Sequence, residues 1–204
     1  MKIHCQILTI LLFSVFFSAS AKDKRLIDFI NNQSYFLNIK NFGIGMPPHF
    51  VNGRAHLGVE IGTQHLFISK KKSSFLYQYS LGYFSQQSLQ RALFLRPGIG
   101  YQGYFFKQFY IKPQLHVAAM WVRQINEEFV FQSNGEFKKI SSSRIQWMPS
   151  LGAELGLPLF QHKNRIYHAR AGYDFGVQLP FSALSKILPI NQIYIGISSS
   201  ISSK

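Results

Sequence analysis

The feature that most restricts this chain is an alternation of apolar with small or polar residues. It has period two and is held for about ten residues at a time. Leu57, Val59 and Ile61 are apolar, with Gly58, Glu60 and Gly62 between them. The same phase returns over 75–83, 93–101, 109–121, 147–157, 167–179 and 193–197. A helix repeats its buried face every 3.6 residues, so this pattern reads as strands. One further segment, 35–46, precedes them. Leu37 and Ile39 share one phase there, and Phe42, Ile44 and Met46 share the other. The slip near Asn41 predicts a β-bulge. Eight strands are therefore expected.

Their length bears on the solvent they meet. A tilted strand needs about 9–11 residues to cross a bilayer, whereas strands of soluble domains average about five or six. One face of each segment is aliphatic and aromatic without interruption. The other carries Gly, Ser, Gln and charges. The chain holds 20 Phe and 10 Tyr, a load suited to the aromatic girdles of a membrane barrel. A soluble sandwich would show a similar alternation, so the decision rests on strand length, on a leader and on the connections. Connections at 47–55, 85–91, 126–144 and 182–191 alternate with shorter ones at 70–74, 106–108 and 161–165, as in outer-membrane barrels. The expected fold is an all-β transmembrane antiparallel up-and-down barrel of about eight strands over 34–204. An even strand count puts both termini on the short-turn, periplasmic side.

Residues 1–21 read as a signal peptide. Lys2 is the basic start, 7–17 is a short apolar run, and Ala19-Ser20-Ala21 is a cleavage site. The only cysteine, Cys5, lies within it, so the mature chain is expected to have neither disulfide nor thiolate metal site. Residues 22–33 form a separate periplasmic segment, in which Leu26, Ile27, Phe29 and Ile30 fall near helical spacing. The formal net charge is +14, with 22 Lys and Arg against 8 Asp and Glu. Much of it sits in the short turns, at Lys70, Lys71, Lys72, Lys107, Lys163 and Arg165. Outer-membrane lipid and lipopolysaccharide are the expected contacts. The basic residues are spread over turns, lumen and loops rather than interleaved with stacking aromatics, which argues against nucleic acid.

The longest connection, 126–144, contains Phe129, Phe131, Asn134-Gly135 and Phe137, and reads as a hairpin extending above the membrane. That loop and the 22–33 segment are the places where other outer-membrane proteins could dock.

The inward face carries a set of charges. Glu60, Glu154 and Asp174 oppose Arg96, Lys112 and Arg170, with His116 and His168 nearby. An eight-stranded barrel has a lumen just wide enough for side chains to fill, so these charges are expected to pair and plug it. Gly98-Ile99-Gly100-Tyr101-Gln102-Gly103 fits the dinucleotide pattern in letters, but no helix follows, and its glycines lie on the inward face of a strand. No cofactor is expected. The histidines lack metal-ligand spacing. There is no G-x-S-x-G and no histidine followed two residues later by serine, the arrangement of lipid A deacylase barrels.

The segments Phe42-Gly43-Ile44-Gly45-Met46-Pro47, Ser80-Leu81-Gly82-Tyr83-Phe84, Ala92-Leu93-Phe94-Leu95, Asn134-Gly135-Glu136-Phe137-Lys138-Lys139 and Pro149-Ser150-Leu151-Gly152 resemble those of uncharacterised outer-membrane β-barrel proteins of the Bacteroidota. The resemblance covers roughly 34–201. It implies the fold and the membrane, and it carries over no catalytic or binding residue. The expected role is a non-enzymatic integral barrel, structural or an accessory subunit of an outer-membrane complex. The alternatives are a narrow solute or lipid conduit, and an enzyme modifying lipid A or phospholipid.

Overall fold

The computed structural model describes residues 33–44, 56–70, 73–86, 89–105, 109–126, 129–131, 136–139, 143–182 and 186–201. The expected leader, the 22–33 segment apart from Gln33, Lys71, Lys72, Lys107 and the Asn134-Gly135 turn lie outside them.

Ten strands follow one another: β1 (Ser34–Ile44), β2 (Leu57–Lys70), β3 (Ser73–Gln86), β4 (Gln90–Phe105), β5 (Phe109–Gln124), β6 (Phe129–Phe131), β7 (Phe137–Lys139), β8 (Ser143–His162), β9 (Arg165–Gln178) and β10 (Leu188–Ile201). Eight close into a barrel in the order β1-β10-β9-β8-β5-β4-β3-β2, and β6 pairs only with β7. All pairings are antiparallel between successive barrel strands, and β1 meets β10 to close the ring. This is the expected up-and-down barrel. Tyr35 lies opposite Ser199, so the ends of β1 and β10 share the rim at which β2 passes to β3, β4 to β5 and β8 to β9.

The alternation of the sequence becomes an alternation of surroundings. In β5, Ile111, Leu115, Val117 and Trp121 are exposed, while Lys112, Gln114, His116 and Met120 between them are buried. Trp121 is 64% exposed and Ile61 61%, against 1% for Glu60 and 0% for Lys112. The apolar face is thus the outside. Aromatic residues mark its two margins. Tyr35, Phe75, Tyr101, Phe105 and Phe160 stand near the short-turn rim, and Tyr83, Trp121 and Trp147 near the other. Aliphatic residues such as Leu81, Leu95, Leu151 and Ile195 lie between.

Inward glycines make room for the rings opposite them. Phe36 pairs with Gly62, Phe94 with Gly82, Tyr110 with Gly156 and Tyr194 with Gly172, and each ring covers the space a Cβ would take. Gly98 of the dinucleotide-like pattern stands against His116 in the same way, and Gly100 against Leu76 and Lys112. These glycines pack the lumen rather than cradle a phosphate.

Two expectations need correction. No bulge forms at Asn41: β1 keeps its register with both neighbours, and Phe42 is buried in phase with Phe36, Asn38 and Lys40. An apolar residue inside the barrel looks like a phase reversal when that face is assumed polar throughout. The register shifts fall elsewhere, between Leu66 and Ile68 in β2 and between Pro158 and Phe160 in β8, both near the short-turn rim. The 85–91 connection is also shorter than expected, because Gln86 still pairs with Gln90 and the Leu89 amide donates to the Gln86 carbonyl at 2.9 Å. The polar residues there continue the inward face.

A substitution at Gly82 would test this packing. The Phe94 ring lies 2.7 and 2.8 Å (Cε2 and Cε1) from where a Gly82 Cβ would sit, whereas the nearest atom at Gly103 is 3.6 Å away. Gly82→Ala should lower the unfolding free energy in detergent micelles by about 1–3 kcal/mol. Gly103→Ala should change it by less than about 0.5 kcal/mol. Equal shifts in a urea titration would contradict the ring-over-glycine account.

Candidate functional site in the lumen

Strand phase alone determines which side chains enter the lumen, and they stack in layers along the barrel axis. The middle layer is ionic. Arg96 on β4 pairs with Glu60 on β2 at 2.6 Å and with Asp174 on β9 at 2.8 Å. Lys40 on β1 reaches the same two carboxylates, at 2.9 and 3.6 Å. Ser80 Oγ donates to Glu60 at 2.6 Å, Asn38 Nδ2 donates to it at 2.9 Å, and Gln114 Nε2 donates to Asp174 at 2.8 Å. Two cations and two carboxylates form a balanced square.

The adjoining group, nearer the short-turn rim, is not balanced. Glu154 on β8 takes Lys112 at 2.9 Å and also pairs with Arg170. It accepts further bonds from Tyr110 Oη at 2.9 Å and Tyr194 Oη at 3.0 Å. One carboxylate therefore serves two cations. The Gln64 carbonyl shares the load when its amide is turned toward them, 3.0 Å from Lys112 and 3.1 Å from Arg170. Ring faces take part as well: the Arg170 guanidinium lies 4.3 Å from the Phe36 centroid, and Lys40 Nζ lies 4.9 Å from that of Tyr194. Among the described buried residues, four cations face three carboxylates. Removing such ions from water costs several kcal/mol each, and dense pairing offsets that cost.

All the predicted charges meet in this layer, and the two predicted histidines meet none of them directly. His116 contacts Gln78, and His168 stands edge-on to the Tyr110 ring at 5.6 Å. Sequence reasoning did not include Lys40, Tyr110 and Tyr194. The signal for Lys40 was its place two residues after Asn38 in an unbroken alternation. The tyrosines carried no distinguishing signal, since Tyr occurs on both faces.

Toward the long-connection rim the ionic layer is covered by Phe42, Phe84, Phe94, Met120, Met148 and Ile190, all at 0–1% exposure. Phe42 stacks on Phe84 at 4.2 Å and meets Phe94 edge-on at 6.3 Å. Beyond this apolar layer lies a ring of amides. Gln90 and Gln178 exchange bonds of 2.9 Å, and Gln146 and Gln124 donate to the Phe181 carbonyl at 2.9 and 3.3 Å. The segment after β9 thus reaches over the mouth. Toward the short-turn rim Phe36, Leu76 and Ile166 fill the section.

This arrangement bears on chemistry. Ser150 and His116 lie directly opposite each other on β8 and β5, and Asp174 is on the next strand, β9. Yet Asp174 is bound to Arg96, Lys40 and Gln114, and His116 turns to Gln78. Ser150 and His116 are 3% and 1% exposed. A nucleophile needs a base within hydrogen-bond reach and a substrate beside it, and this arrangement offers neither. Among the described residues, no group of three or more His, Cys, Asp and Glu could hold a metal ion.

No protein-family model and no curated protein matches the chain. Solved structures with a similar course exist. Neisserial surface protein A is 12% identical, with 83% of this chain and 97% of that one covered and a TM-score of 0.45. Ail, the attachment invasion locus protein of Yersinia pestis, is 12% identical, with 82% and 96% covered and a TM-score of 0.42. The outer membrane enzyme PagL is 10% identical, with 80% and 97% covered and a TM-score of 0.41. Likeness at this level does not extend to activity.

The unequal sharing of Glu154 predicts its mutational cost. Glu154→Gln keeps the shape and leaves Lys112 and Arg170 without a carboxylate, so it should destabilise the barrel by about 3–5 kcal/mol. Adding Lys112→Met should restore part of that loss, because one stranded cation is gone. Urea unfolding followed by tryptophan fluorescence reads both. A double variant no more stable than Glu154→Gln would refute the cation surplus as the cause.

Proposed function

We propose that this protein is an integral β-barrel of an outer membrane that acts through its wall and its long-connection rim. Its role is non-enzymatic, structural or as an accessory subunit of a membrane complex. One observation carries the reading: the barrel is inverted, with its charges buried in the lumen and a continuous apolar wall outside. Water would penalise that wall, and hydrocarbon would reward it. Closure of the strands leaves no unpaired edge, which a bilayer demands.

A filled lumen moves function away from the interior. The apolar layer of Phe42, Phe84 and Phe94 sits across the path a solute would take. Carboxylates committed to salt bridges are poor acids or bases. What remains available is the outside. The short-turn rim, with both ends of the barrel, is assigned to the periplasm, and the β6–β7 hairpin to the exterior. There Phe129, Phe131 and Phe137 are exposed, with Phe131 packed edge-on to Phe137 at 5.2 Å, an arrangement suited to contact with another outer-membrane protein.

Two measurements check the reading. Membrane fractionation of cells should recover the chain with outer membranes, and it should stay there after carbonate or urea washing. Release into the soluble fraction would refute it. In planar bilayers the purified barrel should be electrically silent. Steady unitary current altered by Arg96→Ala or Glu154→Ala would favour a conduit instead.

A further inference from the structure

We infer that the outer wall holds one phospholipid in a defined place: an acyl chain lies in a trough along β9, and its phosphate rests at the short-turn rim on Arg165 and Lys163. This rests on the membrane reading above.

The trough follows from register. Across the outward face, one lateral row runs Ile197–Ala169–Leu157 and the next runs Ile195–Ala171–Leu155. In both rows the β9 residue is alanine, and its neighbours on β10 and β8 are branched and large. Two alanines therefore form a floor between an isoleucine wall and a leucine wall. The concavity has a volume of about 570 Å³, is lined almost wholly by apolar side chains, and reaches past these walls to Leu37 and Ile39 on β1 and to Phe109 on β5. Elsewhere on the described wall an outward alanine stands alone on its strand, as Ala119 does between Leu95 and Trp147 and Ala153 between Pro113 and Tyr173, whereas β9 sets two in succession.

Its dimensions select the occupant. The walls stand on strands two spacings apart, about 9.6 Å between backbones. A helix, about 10–12 Å across, is wider than the alanine floor. A second copy meeting this patch about a two-fold axis would set trough against trough and leave both unfilled. A single flexible hydrocarbon chain fits.

The rim supplies the charge. Outward positions on β9 run Arg165, Tyr167, Ala169, Ala171, so a cation stands in line with the floor at the rim. Arg165 is held on the wall: its guanidinium lies 5.5 Å from the Tyr35 centroid and donates to Ser199 Oγ at 3.3 Å. Tyr167 stacks on Phe160 at 4.7 Å between the cation and the trough. Lys163, in the adjoining turn, is exposed and has φ of 52°, a conformation glycine would take without strain. Two cations beside an apolar slot at the headgroup level match a lipid phosphate with its chain below.

Native mass spectrometry of the barrel, taken from nanodiscs of phosphatidylethanolamine and phosphatidylglycerol into mild detergent, tests this. The wild type should keep one phospholipid per barrel. Ala171→Phe fills the trough and should lower that occupancy about tenfold, while Leu81→Phe on the opposite wall leaves it unchanged. Arg165→Gln with Lys163→Gly should abolish any preference for phosphatidylglycerol. Folding of each variant is read from its migration on unheated gels. If Ala171→Phe does not fold, the Arg165/Lys163 pair decides alone. Equal retention in a folded Ala171→Phe, or no retained lipid in the wild type, overturns the site. So does a change in the dimer fraction without a change in lipid, which assigns the trough to a second copy. Absence of the chain from the membrane fraction would instead overturn the reading beneath it.

Discussion

A strand edge in hydrocarbon leaves amide and carbonyl groups with nothing to bond, at several kcal/mol for each unsatisfied group. The ladder from Tyr35–Ser199 to Ile44–Ile190 removes the two edges that an open run of eight strands would leave. Everything else in the molecule is conditioned by that closure. Once β1 meets β10 the inward face has no route to solvent through the wall, so its polar groups must satisfy one another. The outward face must then match whatever surrounds it.

The lumen shows how the inward half of that demand is met. Three carboxylates are shared among four cations by doubling and by supplementary donors, so that Glu60, Asp174 and Glu154 each hold two cations. The Gln64 carbonyl and the Phe36 ring absorb what the carboxylates do not, and Tyr110 and Tyr194 donate to Glu154. Such a layer is costly to enter and costly to break, because loss of any partner strands a buried charge. That property suits a rigid plug. It does not suit a reaction that needs protons to come and go, and the proposed role therefore lies on the outside of the wall.

The outward half is met less uniformly. Aromatic margins with aliphatic rows between them would serve any bilayer, but the alanine floor along β9 is a local departure from that plan. The departure lies beside a rim where Arg165 is oriented by Tyr35 and Ser199. A featureless wall would need neither. The filled lumen, the apolar wall and the trough along β9 are thus answers to one constraint, worked out on its two faces.

The sequence by itself determined the strands, their number and which residues face which way, because side-chain direction in a strand is a strictly local consequence of the pleat. Glu60, Arg96, Lys112, Glu154, Arg170 and Asp174 could be placed inside on that ground alone. It misled at Phe42, where an apolar layer inside the barrel resembles a change of phase, and at Gln86 and Gln90, where polar inward residues resemble a loop. Only the tertiary structure decided who pairs with whom. Lys40 and Asp174 lie at opposite ends of the chain and meet because closure makes β1 and β9 near neighbours around the ring. The two alanines of β9 mean nothing in sequence. They become a trough only when register sets Ile195 and Ile197 on one side and Leu155 and Leu157 on the other, since shape on a sheet is a property of rows across strands rather than of residues along one.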